Sequence, residues 1–180
     1  MTATTQIMTE ADTCRELVTP KLVDAGWGSE PHVIGEQRTF TNGRIIVTGG
    51  RVRRGKQKRA DYLLYYRRDF PLAVVEAKEL GLPAETGVQQ AKEYAEILGL
   101  KFAYATNGHR IIEIDYTTGT EREVGRFATP AELWRRLTAA TSLPDPATSH
   151  LLEPFNLVSG KVPRYYQLIA INRVIEAILH

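Results

Sequence analysis

The chain contains a single cysteine and no long hydrophobic run. Cys14 stands alone among 180 residues, which excludes an internal disulfide and a cysteine-rich zinc site and favours a reducing compartment such as the cytoplasm. No apolar stretch approaches the length that a membrane-spanning helix needs. The start of the chain also lacks the charged and apolar regions of a signal peptide, so we expect a cytoplasmic protein without a membrane segment.

A strong overall charge is absent as well, but the basic residues are unevenly distributed. The net charge is +2, and 43% hydrophobic with 24% charged residues is ordinary for one soluble domain. Between residues 51 and 59, six of nine positions are basic and none is acidic. Such a cluster attracts the phosphate backbone of nucleic acid without reading its sequence. We therefore predict a basic loop that contacts DNA, with a purely solvated loop as the alternative. Its residues are Arg51, Arg53, Arg54, Lys56, Lys58 and Arg59.

Two apolar runs follow the basic stretch and predict a β-hairpin. Asp61 opens the first run, and the second run carries Glu76 and Lys78 near its end. Because side chains alternate along a strand, Glu76 and Lys78 point to the same side. A turn around residues 67–71 would place Asp61 at the outer end of its strand, beside the other two. We expect two carboxylates and one ammonium to meet at a corner of the sheet.

This combination of side chains suits phosphodiester hydrolysis. Magnesium takes oxygen ligands, usually one or two carboxylates with waters and substrate phosphate, and a neighbouring lysine can orient or deprotonate the attacking water. A helix predicted from residue 84 or 85 to about 98 adds Gln90 and Tyr94 on one face, one turn apart. The alternative is an ordinary hairpin that ends in a salt bridge, since short acidic patterns are common.

The order of these motifs resembles a known nuclease superfamily. Asp61, the hydrophobic hairpin, Glu76-Ala77-Lys78 and then Gln90 with Tyr94 resemble the PD-(D/E)xK nucleases. They closely resemble the amino-terminal nuclease domain of type I restriction enzyme R (motor) subunits. The stretches 36–40 and 100–108 are also similar to that family, whereas Ala60 replaces the usual proline. The resemblance implies an α/β fold of the restriction-endonuclease type, with a mixed β-sheet flanked by helices.

The resemblance also implies a magnesium-dependent DNA endonuclease. Asp61, Glu76 and the carbonyl of Ala77 would hold the metal, and Lys78 would position the water. The implied catalytic set is Asp61, Glu76, Lys78, Gln90, Tyr94 and Glu10.

Three polar residues near these motifs have two interpretations each. Glu10 lies on the first predicted helix, where the family often places a further acid, but an acid at a helix N-terminus is also favoured by the helix dipole. Glu36 could contact DNA or the surroundings of the metal, or simply be a polar residue of an edge strand. His109 could be a catalytic base or a solvated turn residue.

The last forty residues indicate a different part of a larger protein. We predict an endonuclease domain at 1–141, a linker at 142–162 that is rich in Pro and Ser at its start, and the beginning of a truncated motor domain at 163–180. Arg164, Tyr166 and Gln167 resemble the Q motif of superfamily 2 helicases, which implies that Gln167 contacts adenine and that ATP serves only the full-length motor protein. The implied partners are double-stranded DNA and the methylation and specificity subunits of a type I complex.

Two other functions fit parts of the pattern. One is a catalytically silent module that docks on the DNA backbone, although a pure binder has no need to bring Asp61, Glu76 and Lys78 together. The other is a stand-alone repair or defence nuclease of the same fold, against which the apolar final helix and Gln167 argue.

Overall fold

The computed structural model describes residues 8–41, 45–48, 51–54, 57–68 and 70–139, together with five separate positions near the end: Gln167, Ala170, Ile171, Val174 and Ala177. The strands are β1 Val33–Thr41, β2 Ile45–Thr48, β3 Arg51–Arg54, β4 Gln57–Arg67, β5 Phe70–Ala77, β6 Phe102–Thr106, β7 Ile111–Asp115 and β8 Thr120–Val124. The helices are α1 Glu10–Thr13, α2 Thr19–Asp24, α3 Val88–Leu98 and α4 Pro130–Thr138. No helix among the described residues is long and apolar enough to cross a membrane.

Six strands form one mixed sheet in the order β1-β4-β5-β6-β7-β8. The strands β5 and β6 are parallel, with Ala77 opposite Thr106, and the other neighbours are antiparallel. A parallel pair requires a crossover connection, which α3 supplies after a 3₁₀ turn at Ala84–Gly87. The predicted α/β fold with a mixed sheet and flanking helices is confirmed.

The strand β4 is longer than the hydrophobic pattern predicts. It begins at Gln57, and its first residues pair with β1, so that Lys58 lies opposite Phe40. Its ladder with β5 starts only at Tyr62, opposite Val75. Asp61 therefore lies within β4. The sequence analysis had placed it at the outer end of its strand, and that prediction is wrong. The polar residues 57–59 concealed this extension because they carry no apolar alternation.

The prediction of a basic loop at 51–59 is wrong. Arg51, Arg53 and Arg54 belong to β3, which pairs with β2 in a separate two-stranded sheet. Lys58 and Arg59 belong to β4. Backbone pairing to β2 and β1 accounts for the difference, because a strand can form from basic residues when a partner satisfies its hydrogen bonds. Lys56 lies outside the described residues.

The large sheet separates two hydrophobic clusters. The first includes Val18 and Leu22 from the amino-terminal helical segment and Leu133 from α4. The second includes Ala91 and Ala95 from α3. Because helices pack on both faces, the central strands β5, β6 and β7 are almost entirely buried, and the polar residues of the candidate site lie at the carboxyl end of β5, beside β4 and α3.

The helix termini follow the sequence signals. Thr9 and Thr129 each form a capping box, and Gly99 ends α3 with a φ of 72°, which glycine adopts without steric cost. A π-helical turn at Cys14–Val18 separates α1 from α2, and Pro20 falls in the first turn of α2, where its missing N–H is tolerated.

Candidate active site

Asp61 is held by two hydrogen bonds from neighbouring strands. Its Oδ2 accepts from the backbone N–H of Ala77 at 2.8 Å, and its Oδ1 accepts from Nε2 of Gln37 at 3.0 Å. The side chain is buried, with 6% of the residue exposed. Since both oxygens have a fixed donor, the carboxylate plane is fixed relative to β1 and β5.

Glu76 lies on β5, directly before the Ala77 whose N–H binds Asp61. It is more buried than Asp61, with 2% of the residue exposed. Its Oε1 accepts a hydrogen bond from Nζ of Lys78 at 3.0 Å, whereas its Oε2 is buried and has no hydrogen-bond partner among the residues that the structure describes. Burial and then the charge of Asp61 raise the pKa of Glu76 to about 8, against the opposing effect of Lys78. Leaving a buried carboxylate oxygen unpaired is costly, so this atom marks a place for a polar ligand.

Lys78 connects the acids to α3. Its Nζ donates to Glu76 and, at 2.9 Å, to Oε1 of Gln90. Nε2 of Gln90 donates in turn to the hydroxyl of Tyr94 at 2.8 Å. Burial works against the charge on Lys78, but the hydrogen bond and negative charge of Glu76, followed by other acids, raise its pKa. Lys78 is therefore a fixed cation.

Tyr94 belongs both to the core and to the site. The residue is buried, and its ring meets Phe40 edge to face with 5.0 Å between centroids. Nζ of Lys58 lies 5.7 Å from the centroid of the Tyr94 ring and 2.6 Å from a carboxylate oxygen of Glu93. Tyr94 thus packs in the core and also hydrogen-bonds Gln90 in the site.

The carbonyl of Ala77 faces the same acids. The N–H of Lys78 donates to the carbonyl of Thr106 on β6 at 2.8 Å. In a planar trans peptide, the preceding C=O points in the opposite direction, which is toward β4 and Asp61. The N–H of Ala77, which binds Asp61, lies on this side too.

Glu10 lies at the rim of the site. Its Oε2 is 3.8 Å from Nζ of Lys78, and 51% of its side chain is exposed. Partial burial and the charge of Asp61 raise the pKa of Glu10. The first helical segment therefore does bring an acid to the site, but at ion-pair distance.

One hollow of about 350 Å³ contains the candidate catalytic residues. Its lining residues are Glu10, Gln57, Lys58, Arg59, Asp61, Glu76, Lys78, Gln90 and Tyr94. All six residues of the predicted catalytic set are among them. Within the part of the chain that the structure describes, no group of three or more His, Cys, Asp or Glu side chains is arranged to hold a metal, so the two acids would need the carbonyl and solvent as further ligands.

Gln37 is the site residue that sequence reasoning missed. Glu36 faces Tyr62 and Arg38 faces Ala60, which puts Gln37 opposite Asp61. Its φ of 48° is the one positive value among the described non-glycine residues. Neither the cross-strand register nor this φ has a signature in the sequence. The only available signal was the place of Gln37 within a family-like stretch.

The other candidates lie outside this hollow. His109 is exposed in the turn between β6 and β7 and lines neither the catalytic hollow nor its neighbour. Glu36 lies on β1, whose ladder with β4 makes it part of an edge strand. Gln167 occupies an exposed helical position near the end of the chain.

Comparison with known proteins identifies the family. Residues 36–126 match the family model of the type I restriction enzyme R protein N terminus (HSDR_N). The chain belongs to this family. It is 36% identical over 178 residues to the type I restriction enzyme EcoAI endonuclease subunit of Escherichia coli, which covers 95% of this chain and 22% of that protein.

A solved structure of the same family has the same fold. The fragment of an HsdR subunit of a type I restriction enzyme from Vibrio vulnificus YJ016 is 56% identical, with a TM-score of 0.83, and the match covers 97% of this chain and 33% of that chain. The chain thus spans a minor part of the length of these R-subunit relatives. The resemblance to the amino-terminal region of type I restriction enzyme R subunits is confirmed. The family match contains Gln37, Asp61, Glu76, Lys78, Gln90 and Tyr94, whereas Glu10 and Gln167 lie outside it.

Proposed function

We propose that this chain is the magnesium-dependent DNA endonuclease part of a type I restriction R subunit. The observation that carries the proposal is the meeting of Asp61, Glu76 and Lys78 at the end of β5, in one hollow with Gln90 and Tyr94. The family supports a nuclease, since the Escherichia coli relative is named an endonuclease subunit. A structural salt bridge alone would not explain a buried acid with an unpaired oxygen.

The residues fit a magnesium ion. Asp61 and Glu76 supply carboxylates, the Ala77 carbonyl faces them, and Oε2 of Glu76 has no other partner. Two carboxylates with waters and phosphate are a usual set for this ion. When bound, the ion would supply a Lewis acid that activates water and neutralises charge on the phosphate.

Lys78 acts on the substrate as a fixed cation. An ammonium has three N–H donors, and the bonds to Glu76 and Gln90 use two of them. The third can donate to a phosphate oxygen or to the attacking water. Lys78 would stabilise negative charge that builds up on the phosphate and would position the attacking water or help to deprotonate it. Gln90 and Tyr94 hold Lys78 in place through the chain of hydrogen bonds.

The basic residues of the stretch 51–59 would hold the DNA backbone. Arg59 is exposed and lines the hollow, and the arginines of β3 and Lys56 precede it in the chain. Phosphate contacts of this kind are independent of base sequence and weaken with salt. We propose that they deliver the strand to Asp61.

In the whole R subunit, this part would work with a motor. The family relatives are far longer than the matched region, and residues 163–180 would begin an ATP-driven translocase in which Gln167 contacts adenine. The methylation and specificity subunits would choose the DNA site, and the complex would act in the cytoplasm.

The test uses supercoiled plasmid, magnesium, ATP and the assembled R subunit with its partners. Asp61→Asn and Lys78→Met should each lower cleavage at least about 100-fold, since Asp61 would hold the metal and Lys78 would stabilise charge on the phosphate, while ATP hydrolysis in the same reactions stays unchanged.

Matched controls are present in the chain. Asp115→Asn changes another buried strand acid that accepts a backbone hydrogen bond, and Lys101→Met changes another half-buried lysine. Both controls should cut like the wild type. Unchanged cutting by Asp61→Asn and Lys78→Met would instead leave the DNA-docking module as the function of this domain.

A further inference from the structure

A second hollow lies directly beside the catalytic one. Its volume is about 390 Å³, which is within the range of ligand pockets. The two hollows share Glu10, Arg59 and Asp61. The rest of its wall comes from the first helical segment, β1 and β4, and includes Ala11, Cys14, Thr19, Glu36, Gln37 and Tyr62. Apart from Gln37, which holds Asp61, the proposed cleavage chemistry gives these wall residues no role.

The position of the second hollow sets the path of a bound strand. A phosphate next to Lys78 has a neighbouring nucleotide on each side. On one side the catalytic hollow is bounded by α3, through Gln90 and Tyr94, and by Lys58, which is paired with Glu93. Across Asp61, on the side away from α3, the second hollow opens. A nucleotide adjoining the phosphate can therefore enter it.

The wall chemistry selects a neutral group. Glu36 joins Glu10 and Asp61 in lining the hollow, so a phosphate inside would be repelled. Burial raises the pKa of the Cys14 thiol to about 11 and keeps it uncharged. Arg15 is already paired with Asp12 and Glu16 at the rim. Arg59 makes no ion pair with any described residue and stands at the boundary, where a backbone phosphate would meet it.

The uncharged part of the wall offers what a nucleoside needs. The hydroxyls of Thr19 and Tyr62 lie 3.0 Å apart and form a hydrogen-bonded pair. The Gln37 amide adds a donor and an acceptor. The side chains of Ala11 and Cys14 supply apolar surface. A base and sugar have apolar faces with polar edges, which is the combination found in such sites.

We propose that the second hollow is a nucleoside subsite, which takes the base and sugar of the nucleotide next to the scissile phosphate. The proposal rests on the proposed endonuclease function. A base can enter only after it leaves the duplex stack, so the subsite favours DNA that is unwound near the cut, and Arg59 holds the phosphate between the two hollows.

A filling substitution at the rim tests the subsite without touching the acids. Ala11 and Ala131 are both exposed, and each is the second helical residue after a threonine capping box. Ala11→Trp fills the hollow, whereas Ala131→Trp is the matched control. In the assembled R subunit, Ala11→Trp should cut supercoiled plasmid about 10-fold more slowly or worse. ATP hydrolysis and the magnesium-dependent rise in Tm should match the wild type in both variants.

A second measurement asks whether the base is the group bound. Binding of a short single-stranded oligonucleotide is compared with that of the same oligonucleotide carrying abasic sites, with calcium in place of magnesium. The wild type should prefer the natural strand, and Ala11→Trp should lose this preference while binding the abasic strand as before.

The outcomes separate this proposal from the one on which it rests. If Ala11→Trp cuts like Ala131→Trp, or weakens both oligonucleotides equally, the nucleoside subsite is overturned, even when Asp61→Asn abolishes cutting. If the wild type and Asp61→Asn cut equally, the endonuclease proposal itself fails.

Discussion

Gln37 combines an unfavourable backbone with a useful side chain. Its left-handed φ of 48° costs about 1 kcal/mol for a residue other than glycine. The amide it presents to Asp61 at 3.0 Å is a support of the kind that orients metal ligands. The strained backbone of Gln37 therefore lowers the stability of the fold at a residue that contacts the candidate site.

Replacing Gln37 should separate stability from activity. Gln37→Gly relieves the strained φ and loses the amide, so its free energy of unfolding should stay within about 1 kcal/mol of the wild type. Cleavage should fall about 10- to 100-fold, as for other residues that orient metal ligands. Urea unfolding and plasmid cleavage measure the two effects.

Gln37→Met serves as the companion variant, since it retains the length of the side chain and the strain but has no amide. It should be as inactive as the glycine variant and less stable. Wild-type cutting by Gln37→Gly would mean that Asp61 does not depend on the amide.

The candidate residues that were identified from the sequence each have a signal in the sequence itself. Asp61, Glu76 and Lys78 could be predicted because they are charged residues in apolar strands. Gln90 and Tyr94 were predicted from the family resemblance together with their helical spacing, and the structure places all five residues in one hollow. Gln37 has no such signal, because its role comes from cross-strand register and an unusual φ. Both are set by tertiary structure.

The helix α4 is held against the sheet by a buried ionic cluster. Glu113 on β7, 2% exposed, accepts hydrogen bonds from the Tyr104 hydroxyl at 2.8 Å and from Arg122 at 3.1 Å, and pairs with Arg136 of α4 at 3.0 Å. Burial opposes its charge, but these partners together lower the pKa of Glu113. The sequence marks Glu113 only as one acid in an apolar strand.

Removing Glu113 should therefore destabilise the fold without affecting the chemistry. Glu113→Ala should lower the free energy of unfolding by about 3 kcal/mol, because the charge of Arg136 and the Tyr104 hydroxyl lose their partner. Glu121→Ala breaks an exposed pair with Lys92 and should cost less than about 1 kcal/mol. Equal unfolding curves for the two variants would contradict the structural importance of the cluster.

The strands were predictable where one face is apolar and were missed where it is not. The bounds of β6 agree with the apolar run at 102–106. The strand β8, Thr120–Val124, was not predicted because it is almost entirely exposed and polar. It is one of the two edge strands of the six-stranded sheet, and charged residues at such an edge discourage pairing with other chains.

The division of the whole chain into domains stays a prediction, and Ile171 offers a way to examine it. Ile171 is partly buried and packs against the first hydrophobic cluster, although it belongs to the stretch assigned to a motor domain. Ile171→Ala should lower the free energy of unfolding by about 1 kcal/mol.

The control is Val174→Ala, three residues further on, where Val174 is 59% exposed. It should change stability by less than about 0.5 kcal/mol. If neither substitution has an effect, residues 163–180 make no energetic contribution to the nuclease fold, and the boundary at 141 gains support.

Ala77 makes part of the candidate site independent of side-chain identity. Its N–H fixes Asp61 and its carbonyl faces the same acids, so its whole contribution comes from the backbone. A scan that exchanges one residue type for another would pass over this position, provided that the new side chain fits the core. Adding or deleting a single residue in β5 would instead turn the N–H and the carbonyl at this position away from β4 and toward β6. The position of these two backbone groups therefore depends on the length of β5 as much as on its residue types.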